Sequence, residues 1–330
     1  MMDPIYNLEL SLLSDKFNYK MKKISLLFIT LFITILSYGQ QLPQLSQYMI
    51  NDFAVNPAIA GMHDHFQIKT SVRNQWVGIN DAPKTTLLSI YGKNSKNVGL
   101  GGSVFNDQIG PTSRSGASMT YAYHVPLTPF IKMSLSLSGG FTQFKIDKQG
   151  WNILHEGDEL LQGDILVDLV PDATFGLNIY SKDKWYLGCA IPQLLNSKLA
   201  LIDEDFADNI TLNMDGSLAR HLYVMGLYNL EVSHYWDLEP SALIKSVTSS
   251  PSQIDIGLKT IYDDKFWAGI NYRNNGDISA LLGFHIQDRY LIGYSYDLPN
   301  SDLNQYTSGS HEFMFGITFH PSTNNQIMRR

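Results

Sequence analysis

The sequence holds one cysteine, Cys189, so no disulfide can form within the chain, and cysteine usage leaves no mark of a redox compartment. Set in the apolar stretch 187–191, that thiol reads as a small strand residue rather than a nucleophile. Charge is scarce too: Asp, Glu, Lys and Arg make up 17% of the chain, while aromatics reach 12%. A surface facing water normally carries more charge, so part of this one is expected to face something else. The balance is acidic, 24 Lys and Arg against 31 Asp and Glu, which excludes the clustered basic footprint that nucleic acid requires. Long apolar runs are also missing, with one exception near the N-terminus. Beyond it nothing approaches the roughly 20 residues of a membrane-crossing helix. With 44% hydrophobic residues, the chain still has material for a folded core.

The exception is an export signal. Met21, Lys22 and Lys23 begin a charged region, residues 24–36 are continuously apolar, and Ser37 and Gly39 supply small residues before Gln40. The apolar stretch is too short to span a bilayer, so residues 21–39 are expected to be cleaved, leaving a mature start at Gln40 or Gln41. Residues 1–20 carry Asp3, Glu9 and Asp15, which do not suit such a region, and read as an upstream mis-start. No cysteine follows the cleavage site, which removes a lipoprotein reading.

What the remainder does have is alternation. Ile131, Met133, Leu135, Leu137 and Phe141 share one face, with Lys132, Ser134, Ser136, Ser138 and Thr142 on the other. The pattern recurs at 117–125, 254–258, 266–272, 278–286, 290–296 and 313–319. Many of these stretches are about nine to eleven residues, enough to cross a bilayer at a tilt, whereas strands of a soluble β-sandwich average about 5 to 6. Glycines fall in the inward series (Gly257, Gly269, Gly283, Gly293, Gly316), as a crowded curved sheet requires. Aromatics gather near strand ends (Tyr180, Trp185, Tyr186, Tyr228, Tyr235, Trp236, Tyr262, Phe266, Trp267, Tyr290), as interfacial girdles require.

Connections alternate in length. Short ones are read at 93–96, 126–129, 182–184, 230–232, 263–264 and 287–288, and longer ones at 77–82, 107–112, 147–170, 192–215, 247–251, 274–277 and 299–308. The fold class is therefore an all-β, antiparallel transmembrane outer-membrane β-barrel of about 14 strands over residues 67–320. A short periplasmic N-terminal segment (40–66) precedes it and a polar tail (321–330) follows, with both termini periplasmic and two weaker strands near 184–191 and 215–229.

Chemistry is hard to assemble. His63, Asp64 and His65 contain good metal ligands, but nothing adjacent completes a set, and they read as polar residues leading into the first strand. Gly99, Gly101 and Gly102 lack the third glycine and helix start of a dinucleotide fingerprint and read as a bend or packing site. Ser295, Asp297 and one of His124, His285 or His311 make a hydrolase triad on paper only. Asp158, Glu159, Asp164, Asp168 and the acidic stretch 203–208 read as solvated loop charge. No enzyme, cofactor or metal site is expected.

The mature N-terminus runs Gln47-Tyr48-Met49-Ile50-Asn51, then Asn56-Pro57-Ala58-Ile59-Ala60-Gly61, then Arg73-Asn74-Gln75-Trp76-Val77-Gly78 with Ala82-Pro83-Lys84-Thr85 close behind. Later come Gly99-Leu100-Gly101-Gly102 with Asn106-Asp107-Gln108-Ile109-Gly110-Pro111, then Tyr186-Leu187-Gly188 with Ile191-Pro192-Gln193-Leu194-Leu195. Gly293-Tyr294-Ser295-Tyr296-Asp297 and Gly309-Ser310-His311-Glu312 complete the series. This ordered set, spanning about 41–320, resembles the PorP/SprF family of the Bacteroidetes type IX secretion and gliding system; Ile59 and Cys189 depart mildly from its pattern.

The resemblance implies a non-enzymatic outer-membrane component. Such a component binds, helps export or anchors a secreted adhesin or other cargo with a type IX C-terminal domain, or links periplasmic secretion and motor components to the outer membrane. It marks Gln47, Tyr48, Asn51, Asn56, Pro57, Gly61, Arg73, Gln75, Trp76, Gly78, Asp107, Gly110, Pro111, Tyr294, Tyr296, Asp297, Ser310 and His311 as partner or plug contacts. Pro57 lacks a donor and holds Asn56 extended, so the N-terminal motif is a shaped coil that either plugs the lumen or lies along the lower rim. Arg73 and Gln75 point to the lumen if Val72, Asn74 and Trp76 face outward, unless a bulge breaks the phase. The rival from another class is a pore or small-solute transporter in the outer membrane, which a polar interior would also permit.

Overall fold

The computed structural model describes residues 42–147, 165–182, 184–199, 216–248, 250–300 and 302–320. The expected signal peptide, the upstream residues, the polar tail, and Asp158, Glu159, Asp164 and 203–208 lie outside them. Strands β1 (Phe66–Asn74), β2 (Lys84–Ser95), β3 (Val98–Ile109), β4 (Thr112–Pro126), β5 (Ile131–Asp147), β6 (Ile165–Ser181) and β7 (Trp185–Ile191) form the first half. The second half comprises β8 (His221–Tyr228, continued as Leu230–Ser233), β9 (Trp236–Val247), β10 (Ser250–Tyr262), β11 (Phe266–Arg273), β12 (Ile278–Ile286), β13 (Tyr290–Leu298) and β14 (Ser310–Phe319). Each pairs antiparallel with its sequence neighbours. β1 pairs with β14 from Phe66 opposite Phe319 to Asn74 opposite His311, so the fourteen strands form a closed barrel.

Closure leaves no unpaired edge, and the two-residue period gives each strand an outward apolar face. On β5, Leu135, Leu137 and Phe141 are exposed while Ser134, Ser136, Ser138 and Thr142 are buried. Two hairpins turn on consecutive left-handed residues, Asp263–Asp264 (φ 52 and 53) and Gln287–Asp288 (φ 53 and 50). This is the geometry that matches strand twist in a two-residue turn, and Asp tolerates it.

Several boundaries differ from expectation. The 107–112 loop shrinks to a turn at Gly110 (φ 55) and Pro111, and the 247–251 loop to 248–249. β6 begins at Ile165 because Ile165, Val167 and Leu169 continue the outward apolar series. Residues 230–232 belong to a strand that turns at 234–235. The strict alternation of lengths is lost at 110–111 and 248–249, which are as short as the opposite turns, but the long connections 75–83, 148–164, 192–220 and 299–309 all leave one end of the barrel. Exposed Phe130, Tyr235, Trp236, Tyr262, Phe266 and Phe319 belt the short-turn end. Tyr180, Tyr186 and Trp267 do not join that belt: all three are buried inside the barrel, against an apolar cluster whose other half comes from the N-terminal segment.

The N-terminal segment takes the first of its two expected places. Residues 45–62 lie inside the barrel rather than along its rim, with Leu45, Tyr48, Met49, Ile50, Phe53, Val55, Ile59 and Met62 all buried. Leu42 starts beside His221, Tyr223, Lys245 and Val247 at the long-loop end. At the short-turn end Asp64 reaches Lys93 and Lys182, and β1 follows. The chain thus threads the lumen from end to end. Leu42 and Phe319 sit at opposite ends of the barrel.

Candidate functional site

The site is the interface between this lumenal segment and the barrel wall. Two short 3-10 turns, Asp52–Ala54 and Pro57–Ile59, compact the segment; Asn56 caps the second by accepting from the Ala58 N–H, and Pro57 fills a position needing no donor. Such irregular backbone would be costly in hydrocarbon, and here the wall satisfies it. The Ser134 hydroxyl donates to the Ala58 carbonyl (2.6 Å), and Lys69 Nζ donates to the Ile50 carbonyl and to the Tyr91 hydroxyl. His124 Nε2 contacts the Ala60 carbonyl at 2.8 Å. A carbonyl only accepts, so Nε2 carries the proton and Nδ1 accepts from the Tyr180 hydroxyl at 2.7 Å. Tyr48 reaches Ser241 at 3.1 Å, Asn51 donates to Ser89 at 3.2 Å and Asn56 to the Leu177 carbonyl at 3.0 Å.

Glycines make room for the segment. A Cβ on Gly99 would collide with the Ala60 carbonyl, one on Gly101 with the Phe53 ring, one on Gly176 with Asn56, one on Gly257 with Met49 and one on Gly293 with Gln47. Gly61 adopts φ +85 against Gly99. Gly99 and Gly101 are therefore the packing site expected from their position. Gly99→Ala is expected to lower stability by about 1–3 kcal/mol, since a backbone carbonyl has to move. Gly139→Ala, whose Cβ would meet nothing within 4 Å, should be neutral. Urea midpoints of the refolded barrels measure both.

The strongest tie is ionic. Arg73 on β1 lies 2.6 Å from Asp297 on β13 and 3.5 Å from Glu312 on β14. Arg73 is 2% exposed, Asp297 4% and Glu312 0%. Ser46 completes the cluster: its hydroxyl accepts from Arg73 and donates to Asp297, each at 2.6 Å, and its N–H donates to Glu312 at 2.7 Å. Gln47 donates to the Glu312 carbonyl, Asn271 to the Ser46 carbonyl and Ser71 to the Glu312 carboxylate. The motif positions Arg73 and Asp297 thus serve one cluster. Glu312 and Ser46 were not singled out, although Glu312 closes a quoted motif and shares the inward parity of Ser310.

The remaining marked positions divide in two. Gln75 and Trp76 lie beyond the end of β1, whose pairing runs unbroken to Asn74, so no bulge breaks the phase that turns Arg73 inward. The Gln75 N–H donates to Pro83, that of Trp76 (φ 51) to Ser310, and that of Gly110 to Asp81; Gly78 (φ 105) lies against Tyr306. Thr85 donates to Asp107, and the Pro111 carbonyl accepts from Asp147. Together these weld the long-loop ends of β1 to β5 and β14. Tyr294, Tyr296 and His311 lie on the outer face, where the Tyr294 hydroxyl meets His311 Nδ1 at 2.7 Å.

The paper triad does not assemble. Asp297 is taken by Arg73 and Ser46, His124 by Tyr180 and Ala60, and His311 faces outward; the buried Ser295 hydroxyl has no hydrogen-bond partner. His63, Asp64 and His65 line the short-turn mouth, where Lys182 and Lys93 hold the Asp64 carboxyl well below the usual carboxylate range. Among the described residues no three potential ligands converge on a metal position. Burial, then neighbouring His63, His320 and Lys69, depress His65 to about 4. The unfolded chain binds that proton near pH 6.5, so stability falls as pH drops from about 6.5 towards 4. His65→Gln is expected to flatten a thermal-midpoint profile across that window.

No curated protein matches the chain. Among solved structures, the toluene transporter TbuX of Ralstonia pickettii aligns over 86% of this chain and 95% of its own, at 10% identity and a TM-score of 0.50. The monoaromatic hydrocarbon channel CymD covers the same shares at 11% identity and a TM-score of 0.48. At 10% identity the TbuX match speaks only to the fold, that of an outer-membrane barrel. The model for the type IX secretion system membrane protein PorP/SprF matches residues 37–317, a span that holds both the threaded segment and the Arg73 cluster, and the chain belongs to that family.

Proposed function

We propose that this protein is a plugged, non-enzymatic outer-membrane barrel that holds a secreted cargo or links the type IX machinery to the membrane, rather than an open pore. The observation carrying this reading is the lumen. Residues 45–62 fill it, and the cavities on either side of the segment share no lining residue. A diffusion pore needs a continuous polar path, and this interior is occupied by side chains that the wall is cut to receive.

The proposed orientation puts the short turns in the periplasm, with their aromatic belt at the periplasmic interface of the membrane, and the long connections outside, following the general habit of such barrels. Cargo with a type IX C-terminal domain would then be held at the long-loop face, and periplasmic motor or secretion components at the short turns. Affinity capture of the full chain from its native membrane, read by mass spectrometry, should return a large secreted adhesin or periplasmic ring components. Recovery of neither, together with steady conductance of the intact barrel, would favour the pore. The orientation has its own check. A membrane-impermeant maleimide added to intact cells should label Leu42→Cys and spare Thr318→Cys; the opposite pattern inverts the barrel.

A further inference from the structure

In the long-loop half of the lumen, between the threaded segment and the wall, lies a cavity of about 180 Å³. Its walls are apolar on the side of Leu45, Val55, Leu87 and Phe105. Two cations of the wall border it. Arg114 on β4 sits between the Phe105 and Phe144 rings, 5.3 Å from each centroid, and its buried Nε has no hydrogen-bond partner. Lys245 on β9 lies 5.8 Å over the Tyr223 ring, and its ammonium makes no hydrogen bond or ion pair with any described residue. Asp172 is the acidic group on the same lining; Asp107 also acts on Arg114, and Asp255, itself bonded to Arg273, acts on Lys245.

A cation inside a barrel is costly unless paired, and four other lumenal cations have carboxylate or carbonyl partners: Arg73 has Asp297, Arg273 has Asp255 at 2.8 Å, Lys259 has Glu239 at 2.5 Å and Lys69 the Ile50 carbonyl. Lys245 stands apart from that pattern beside an apolar hollow. The geometry points to a binding site for a small amphipathic monoanion, an aryl or branched-alkyl carboxylate, with its head on Lys245 and Arg114 and its body against Leu45, Val55 and Phe105. Size fits: a dry cavity of about 150 Å³ takes a benzene ring. Pro192 and Gln193, in the connection after β7, line the same cavity, so entry is from the long-loop mouth. Apolar walls with a few convergent polar groups are the usual make-up of a small-molecule pocket.

The probe is 3-phenylpropionate, titrated calorimetrically into the full chain in non-ionic detergent, beside 3-phenylpropan-1-ol as the uncharged isostere. The carboxylate should bind at least ten times more tightly than the alcohol. Lys245→Met should bring it down to the alcohol's level, and Lys245→Arg should retain most of the difference. Lys184→Met, which lines only the opposite cavity, should change nothing. Equal binding of acid and alcohol, no binding at millimolar concentration, or full binding by a Lys245→Met barrel that still shows heat-modifiable gel mobility would each overturn the site.

Discussion

Deleting residues 42–62 is expected to convert a barrel silent in planar bilayers into one with steady conductance. The segment contributes Tyr48, Met49, Ile50, Phe53, Val55 and Ile59 to one buried cluster with Tyr91, Tyr180, Tyr186, Trp267 and Met314 of the wall. Burial of each such side chain contributes roughly 1.5–3 kcal/mol, so the segment is held firmly and the intact protein should not flicker open. Without it the lumen is lined by Ser71, Ser89, Ser134, Ser241, Asn271, Arg73, Asp297 and Glu312, groups that would take up water. Closure of the wall itself does not depend on the segment, because every strand keeps both ladder partners. A truncated barrel that remains heat-modifiable on gels yet passes no current would show that something besides this segment seals the lumen.

Arg73→Met should cost about 3–5 kcal/mol, the usual consequence of leaving buried carboxylates without their cation. Here two are stranded, Asp297 and Glu312, and Ser46 loses a donor, so the damage spreads to the segment's first anchor. Arg73→Lys should recover only part of the loss, since one ammonium cannot reproduce a guanidinium that serves two carboxylates and a hydroxyl together. Adding Asp297→Asn to Arg73→Met should recover more by removing a stranded charge. Urea midpoints of the four proteins measure this. An Arg73→Met barrel with an unchanged midpoint would mean that the cluster is solvated and not a structural tie.

Much of the wall was legible one strand at a time. Ile131 to Thr142 alternates because each neighbour pair divides between lipid and lumen, a choice written locally into the chain. Asp263–Asp264 and Gln287–Asp288 were placed correctly because their left-handed backbone is also a local matter. The motif residues were found as well, but not what they touch. Nothing near Arg73 in the chain indicates Asp297 or Glu312, and nothing near Ala60 indicates His124. Tyr180, Tyr186 and Trp267 were assigned to the lipid interface because an aromatic at a strand end looks the same whether it faces headgroups or a plug.

Period-two strands, the barrel class and the two-residue hairpins at 263–264 and 287–288 are all readable along the chain, since each is set by contacts within or between adjacent segments. What fills the lumen, the direction in which the N-terminal segment runs and the charges that meet there follow from closure of the barrel. When β1 pairs with β14, residues more than two hundred positions apart line one narrow interior. The irregular 45–62 coil, which has no period to betray its surroundings, then finds its partners on strands all around the wall.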